Sequence, residues 1–226
     1  VIVKFSAQAL AYYLKTSNKL VYEFLQSLKS DKYSFRLSRC DVDVDFMNET
    51  FTPTAIFNDL KSEKVLVFYQ KQQKNKLIFV KKKARLQGFA IDQEVPTCYI
   101  GSVYSDCQLR IYDKKREQIE KNGSKLDFVL KYDSVVRFEI ALKHDLAHNL
   151  TDMLLKVNDE KQLNDLILSV FLQKFYFKRA RTNKATIYTK KMQQALKSKQ
   201  SYLLGHVNAD NDLLQRFKYM LYGSGT

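Results

Sequence analysis

The sequence predicts an α+β fold: a mainly antiparallel sheet with helices packed on it, followed by a basic, helical C-terminal part. Three observations carry this. Short stretches that alternate apolar and polar residues recur between Tyr33 and Leu142, with turn signals between them. Apolar residues at helical spacing frame that region on both sides. Only six glycines and two prolines interrupt 226 residues, so the elements follow one another without long flexible linkers.

Taken in order, a short apolar start from Val1 to Phe5 leads to Ser6, whose hydroxyl can cap a helix. Leu10, Tyr13 and Leu14, then Leu20, Val21, Phe24, Leu25 and Leu28, recur at helical spacing. Tyr33 to Phe46 changes period and reads as strand, with Phe35, Leu37, Val42 and Val44 among polar residues. Pro53 opens a short helix from Thr54 to Lys61. Val65 to Tyr69 and Leu77 to Val80 read as strands on either side of a polar turn, Lys71 to Lys76. Cys98 to Ser102, Leu109 to Lys114 and Ser134 to Leu142 supply further strands. Lys115 to Lys121 reads as a helix closed by Asn122-Gly123, and from about His144 the period is mostly helical. The expected division is a sheet-plus-helix domain over residues 1–155 and a basic helical part over 156–226, packed on it.

The formal net charge is +14, from 38 basic and 24 acidic residues, while 45% of the chain is hydrophobic. That composition supports a folded core and points to a polyanionic partner, nucleic acid before a membrane surface. No run approaches the ~18 apolar residues of a membrane span. No Walker motif exists, which argues against an ATP-driven motor. Cys40, Cys98 and Cys107 have no metal-like spacing and read as free thiols of a cytoplasmic protein. The chain begins at Val1 and ends Gly-Ser-Gly-Thr, so it reads as a piece with flanking domains elsewhere.

Three segments carry chemistry. In RCDVDVDF, alternation places Arg39, Asp41, Asp43 and Asp45 on one strand face and the valines on the other. Three like charges on one face need cations beside them or a shared proton, and a hard divalent ion such as Mg²⁺ or Mn²⁺ meets that need. In VVRFEIALK, Arg137 and Glu139 repeat the pattern, with Phe138 and Ile140 toward the core. Glu139 then reads as a further ligand or as half of an ordinary cross-strand Arg–Glu pair. Between Thr97 and Gln118, the spacing of Arg110, Tyr112 and Lys114 projects all three from one face of a strand. A phenol with an unperturbed pKa of roughly 10 is a poor nucleophile until nearby cations favour the phenolate.

Two further features have weaker readings. His144 and His148, in HDLAH, imitate a zinc-protease helix, but Asp145 replaces the catalytic glutamate and no third ligand is evident. Between Asp165 and Asp210 there is no acidic residue, and Lys174, Lys178, Arg179, Arg181, Lys184, Lys190, Lys191, Lys197 and Lys199 interleave with aromatics. The lysines read as phosphate contacts, and Phe175 and Phe177 as core. A second basic stretch, Lys71 to Arg85, extends the same surface.

Together the segments resemble the replication initiation factor (Rep-trans) family of rolling-circle plasmids and phages, whose relatives include conjugative-element relaxases. The resemblance rests on R-x-D-x-x-x-D (Arg39, Asp41, Asp45), Y-I-G-S (Tyr99 to Ser102), R-I-Y-D-K-x-x-E (Arg110 to Glu117) and R-F-E-x-x-L-K (Arg137 to Lys143), over roughly Tyr33 to Leu150. It implies a nickase (HUH-like) fold and a metal-dependent enzyme that nicks and rejoins one DNA strand at an origin. Tyr112 would be the nucleophile, with Tyr99 the runner-up better read as core. Arg110 and Lys114 would hold phosphate oxygens, and Asp41, Asp45 and Glu139 would bind Mg²⁺ or Mn²⁺. Asp43 departs from the small apolar residue expected at its place. Single-stranded or cruciform origin DNA, a host helicase and a second copy of the chain are the implied partners. The alternatives are a conjugative relaxase with the same chemistry and a non-catalytic basic nucleic-acid-binding module.

Overall fold

The computed structural model describes residues 3, 5–74, 76–83 and 85–196. Helix α1 (Ala7–Ser17) starts at Ser6, whose hydroxyl accepts from the Ala9 N–H at 3.1 Å. It stops at Asn18, which adopts the left-handed conformation at φ 49° and turns the chain into α2 (Val21–Ser27). Strand β1 (Arg39–Met47) begins six residues later than the alternation that starts at Tyr33 suggests. Then come α3 (Pro53–Lys61), β2 (Val65–Gln73), β3 (Lys76–Lys81), β4 (Leu86–Ile91), β5 (Glu94–Ile100) and β6 (Cys107–Asp113). Helices α4 (Lys114–Glu120) and α5 (Leu126–Val129), strand β7 (Val135–Lys143), and α6 (His144–Leu154) follow. The described chain closes with α7 (Glu160–Lys174), β8 (Tyr176–Arg179) and α8 (Ile187–Ala195).

Five strands form one antiparallel sheet in the order β1-β7-β6-β5-β4, and three form a second in the order β3-β2-β8. This is the α+β architecture with a mainly antiparallel sheet that the sequence predicts. β7 is the central support. Its apolar alternation sends Phe138, Ile140 and Leu142 into the core at 0% exposure, while Arg137 and Glu139 face the other way. Leu109 and Ile111 of β6 and Cys98 and Ile100 of β5 continue that apolar face. Phe46, Phe51, Phe138, Phe177 and Tyr188 interlock there, with neighbouring ring centroids 5.1–6.4 Å apart. Helix α3 lies close over β4 and β5. A Cβ added at Gly88 would meet Phe57 at 2.7 Å and Val95 at 2.8 Å, so only glycine admits that approach.

The polar stretch Lys71 to Gln73 belongs to the ladder with β3, which makes a tight hairpin out of the longer turn read from composition. Strand β4 has no counterpart in the sequence reading, because Gly88 and polar flanks dilute its alternation. β8 lies in a region of helical period yet pairs with β2, Val65 opposite Arg179, and so ties the C-terminal part into the second sheet. Around it, α6, α7 and α8 are helical as expected. No helix among the described residues is long and apolar enough to cross a membrane.

The interlocked ring cluster makes Phe138 the most sensitive apolar position. Phe138→Ala should lower unfolding free energy in urea by about 3–5 kcal/mol, as expected for a truncated core aromatic. Tyr104→Ala, at a residue 92% exposed, should change it by less than about 0.5 kcal/mol. Equal effects at the two sites would refute this assignment of the core.

Candidate active site on the open face of the sheet

Residues directly opposite one another in antiparallel pairing project from the same side. The register therefore lays out two polar rows across the sheet. One row runs Asp43, Glu139, Arg110, Tyr99, Gln87, and the other runs Asp45, Arg137, Tyr112, Thr97, Phe89. Asp41 lies on the same face, in the row that runs through Ala141 to Gln108.

At the centre, the Tyr112 hydroxyl donates to Glu139 Oε2 at 3.3 Å, and Arg110 Nη2 donates to the same oxygen at 2.9 Å. The Arg110 guanidinium carbon lies 4.3 Å from the Tyr112 ring centroid, stacked on its face. Arg110 Nε is buried with no hydrogen-bond partner among the described residues. Lys114 Nζ is 5.7 Å from the Tyr112 ring and bonds Glu117 Oε2 at 2.6 Å. The three residues of the tyrosine motif are thus brought together, although Lys114 is not on the strand. The strand ends at Asp113, whose carboxylate accepts from the Arg116 N–H at 2.9 Å and caps α4, leaving Lys114 in the first helical turn.

Tyr112 is only 4% exposed. Burial first, and the Glu139 carboxylate second, raise its pKa well above the ordinary phenol range, while Arg137 and Arg110 pull it down without prevailing. The expectation that surrounding cations favour the phenolate is corrected here: the cations are present, but their charge is shared with carboxylates.

Every carboxylate of the acidic face has an arginine set against it. Arg39 Nε and Nη2 donate to Asp41 at 2.8 Å each. Arg137 donates to both oxygens of Asp45 at 2.6 Å and also contacts Asp43. Burial pushes the Asp43 carboxyl upward, Arg137 opposes that, and Asp45 and Glu139 add to the rise. The proposed ligands Asp41, Asp45 and Glu139 share the face, but the register makes Asp43, not they, the direct neighbour of Glu139. Among the described residues, no three His, Cys, Asp or Glu side chains are gathered closely enough to hold a metal ion. The donor chemistry, hard carboxylate oxygens on one face, fits a hard divalent cation; assembling them around one requires Arg137 or Arg110 to yield.

Three features escape the sequence reading. Arg137 has no assigned partner in the sequence reading; register aims it at Asp45 and Asp43 on β1, while the cross-strand arginine of Glu139 is Arg110. The D-x-D-x-D face opposite R-x-E is the available signal. Tyr99, read as core, stands on the polar face opposite Arg110, edge-on to Phe89 with centroids 6.0 Å apart. Phe89 itself carries no sequence signal, because the alternation of its strand is too weak to mark it.

Phe175 and Phe177 are core, at 1% and 0% exposure, as read. The lysines there are less free than the phosphate-contact reading assumes. Lys178 Nζ lies 4.4 Å from the Phe79 ring centroid and 5.0 Å from that of Phe68. Burial lowers the Lys174 pKa, Lys191 bonds Glu49 at 2.6 Å, and Lys82 sits 3.7 Å over the Phe175 ring. Lys197 and Lys199 lie outside the described residues. His144 and His148 have only Asp106 at 4.0 Å and Asp145 at 3.8 Å as acidic neighbours among the described residues.

Glu117 gives the site a pH signature. Burial alone would raise its carboxyl, but hydrogen bonds from Lys114, Gln118 and Lys121 outweigh that and hold it at about 2. A depressed folded pKa contributes stability that is present above the unfolded value of roughly 4.3 and lost as pH falls toward the folded one. Glu117→Gln should cost roughly 1 kcal/mol at pH 7, a figure discounted for solvent screening, and the gap to wild type should close between about pH 4.3 and 2. Paired thermal melts across that range check it; a gap that widens on acidification would count against the Lys114–Glu117 pairing.

The family model described as replication initiation factor matches residues 35–219, well past the Leu150 limit of the motif resemblance. The structure is similar to that of a rolling circle replication initiator protein from Geobacillus stearothermophilus, with a TM-score of 0.53 and 20% sequence identity. That alignment covers 83% of this chain and 67% of the other, and it establishes the shared fold. No curated protein matches the chain. With the acidic strand, the tyrosine strand and the helices beyond them all inside one family match, the chain belongs to the replication initiation factor family.

Proposed function

We propose that the protein starts rolling-circle replication by nicking and later rejoining one DNA strand at an origin, with Tyr112 as the nucleophile. The observation that carries this is the placement of the Tyr112 hydroxyl 3.3 Å from Glu139 with the Arg110 guanidinium stacked on its ring. An acceptor for the phenol proton and a cation for the phosphate both stand against one oxygen-bearing group.

In this reading the phenol oxygen attacks the scissile phosphorus as the bond to the 3′ oxygen breaks. The products are a 5′-phosphotyrosyl protein and a free 3′-OH. The proton leaves the phenol toward Glu139 Oε2 and is returned to the departing 3′ oxygen. Arg110, whose buried Nε lacks a partner among the described residues, supplies hydrogen bonds to phosphate oxygens, joined by Lys114 once it leaves Glu117. The new ester conserves the energy of the broken bond, so the 3′-OH can later reverse the reaction without ATP.

Charge counting supports a divalent cation at this face. Asp43, Asp45 and Glu139 set three negative charges against the two positive charges of Arg110 and Arg137. Arg39–Asp41 is a neutral pair, and Glu117 is shared by Lys114 and the exposed Lys121. A phosphodiester adds further negative charge, which repels unless another cation enters. Asp41, Asp45 and Glu139 would hold Mg²⁺ or Mn²⁺, which would draw charge from the phosphate oxygens. Origin DNA in single-stranded or cruciform form is the substrate of this reading; a host helicase and a second copy of the chain are its further partners.

Tyr112→Phe should lower cleavage of a labelled origin strand by about 10³-fold or more and remove the covalent protein–DNA band on a denaturing gel. Binding should stay near wild type. A persistent band would sink Tyr112 as the nucleophile, and its absence from wild type would favour a non-catalytic binding module. Excess chelator should stop wild-type cleavage, with Mg²⁺ or Mn²⁺ restoring it. Cleavage that survives chelation would remove the metal from the reading.

A further inference from the structure

Beyond the reacting centre, the two polar rows end on β4 in an aromatic edge that the chemistry just described does not use. Phe89 is 64% exposed although it sits within the ladder that pairs β4 with β5. Its ring meets Tyr99 edge to face, at 6.0 Å and 85°. Tyr99 is directly opposite Arg110, and Gln87 is directly opposite Tyr99, so an amide that can both donate and accept shares the face. Phe89 and Tyr112 occupy the same row two strands apart, roughly 10 Å at the usual interstrand spacing. The acidic residues nearest in sequence, Asp92 and Glu94, belong to the hairpin end, and Glu94 is engaged by Arg116 at 3.1 Å.

We propose that Phe89, supported by Tyr99 and flanked by Gln87, is a binding subsite for an unpaired base of single-stranded DNA close to the scissile phosphate. The proposal rests on the Tyr112 reading for its distance from the reaction but not for its chemistry. An exposed ring offers a π-face to any base, and the neighbouring Arg110 supplies positive charge to the same strand. A strand laid across the sheet with its phosphate at Tyr112 passes over β5 and β4, where Phe89 is the most exposed ring on the route. The occupant is therefore a nucleobase, because the patch continues directly into the cation that faces the phosphate.

The test uses the full chain and two fluorescein-labelled probes: a twelve-nucleotide thymidine oligonucleotide and an abasic strand with the same number of phosphates. By fluorescence anisotropy, Phe89→Ala should weaken thymidine binding about 5-fold or more, the scale of one lost base–aromatic stack. It should leave the abasic strand within about 2-fold, and Phe89→Tyr should retain wild-type preference. Phe89→Ala truncates an exposed side chain, and an unchanged melting midpoint confirms that the protein is intact. Equal loss for both probes, unchanged thymidine affinity, or no binding of the thymidine strand each overturns the subsite. So does unchanged affinity with loss of a dimer on gel filtration, which would make the patch a subunit contact. None of these readouts needs cleavage, so a missing covalent band would refute Tyr112 as nucleophile while the Phe89 subsite would still stand or fall on binding alone.

Discussion

The site depends on one constraint: three aspartates on one face of β1 must be held within a folded sheet. Like charges at that spacing repel, and burial sharpens the repulsion. The structure resolves it through Arg137, which is nearly fully buried and reaches Asp45 with two hydrogen bonds and Asp43 with a third contact. A buried ion pair of this kind is weak evidence for stability, since desolvation offsets much of the attraction. Its consequence is positional. Arg137 fixes β1 against β7, and the same register sets Glu139 beside Arg110 and Tyr112 beside Arg137.

The tyrosine's protonation follows from that arrangement. Arg110 and Arg137 are close enough to favour a phenolate, yet both are already committed to carboxylates. What Tyr112 experiences is a set of groups slightly short of positive charge, in a place with little water. Burial and Glu139 then dominate, and the phenol stays a hydrogen-bond donor. In the proposed chemistry, a phenol kept protonated until further positive charge arrives would be held back from stray phosphodiesters. The same geometry that raises the phenol's pKa thus has a place in the proposed chemistry.

Most of the candidate site is legible in the sequence because strand alternation has a period of two, and the strands that carry its residues obey it strictly. Asp41, Asp43 and Asp45, Arg137 and Glu139, and Arg110 and Tyr112 all lie on the face that alternation assigns. Pairing register is not legible, since no local pattern says which residue of β7 stands opposite which residue of β1. That is why the sequence leaves open which arginine meets Glu139 across the strands and which carboxylates Arg137 meets. Lys114 is misplaced for a local reason: Asp113 caps a helix, so the strand stops one residue before the lysine. β8 is hidden because a four-residue strand in a region of helical period leaves almost no signal of its own. Its pairing with β2 is a tertiary choice.

The two faces of β7 explain why a charged site can be held in place so closely. Phe138, Ile140 and Leu142 are fully buried against the helices and the aromatic cluster, so the strand cannot shift without opening the core. Arg137 and Glu139 alternate with them and inherit that rigidity, as groups on packed elements do. A one-residue slip would place the charged side chains in the interior and the apolar ones beside the aspartates, a state that both faces reject. Hydrophobic packing on one side therefore sets the distances on the other. The weaker, polar interactions need only choose among side-chain arrangements within a frame that the core has already made.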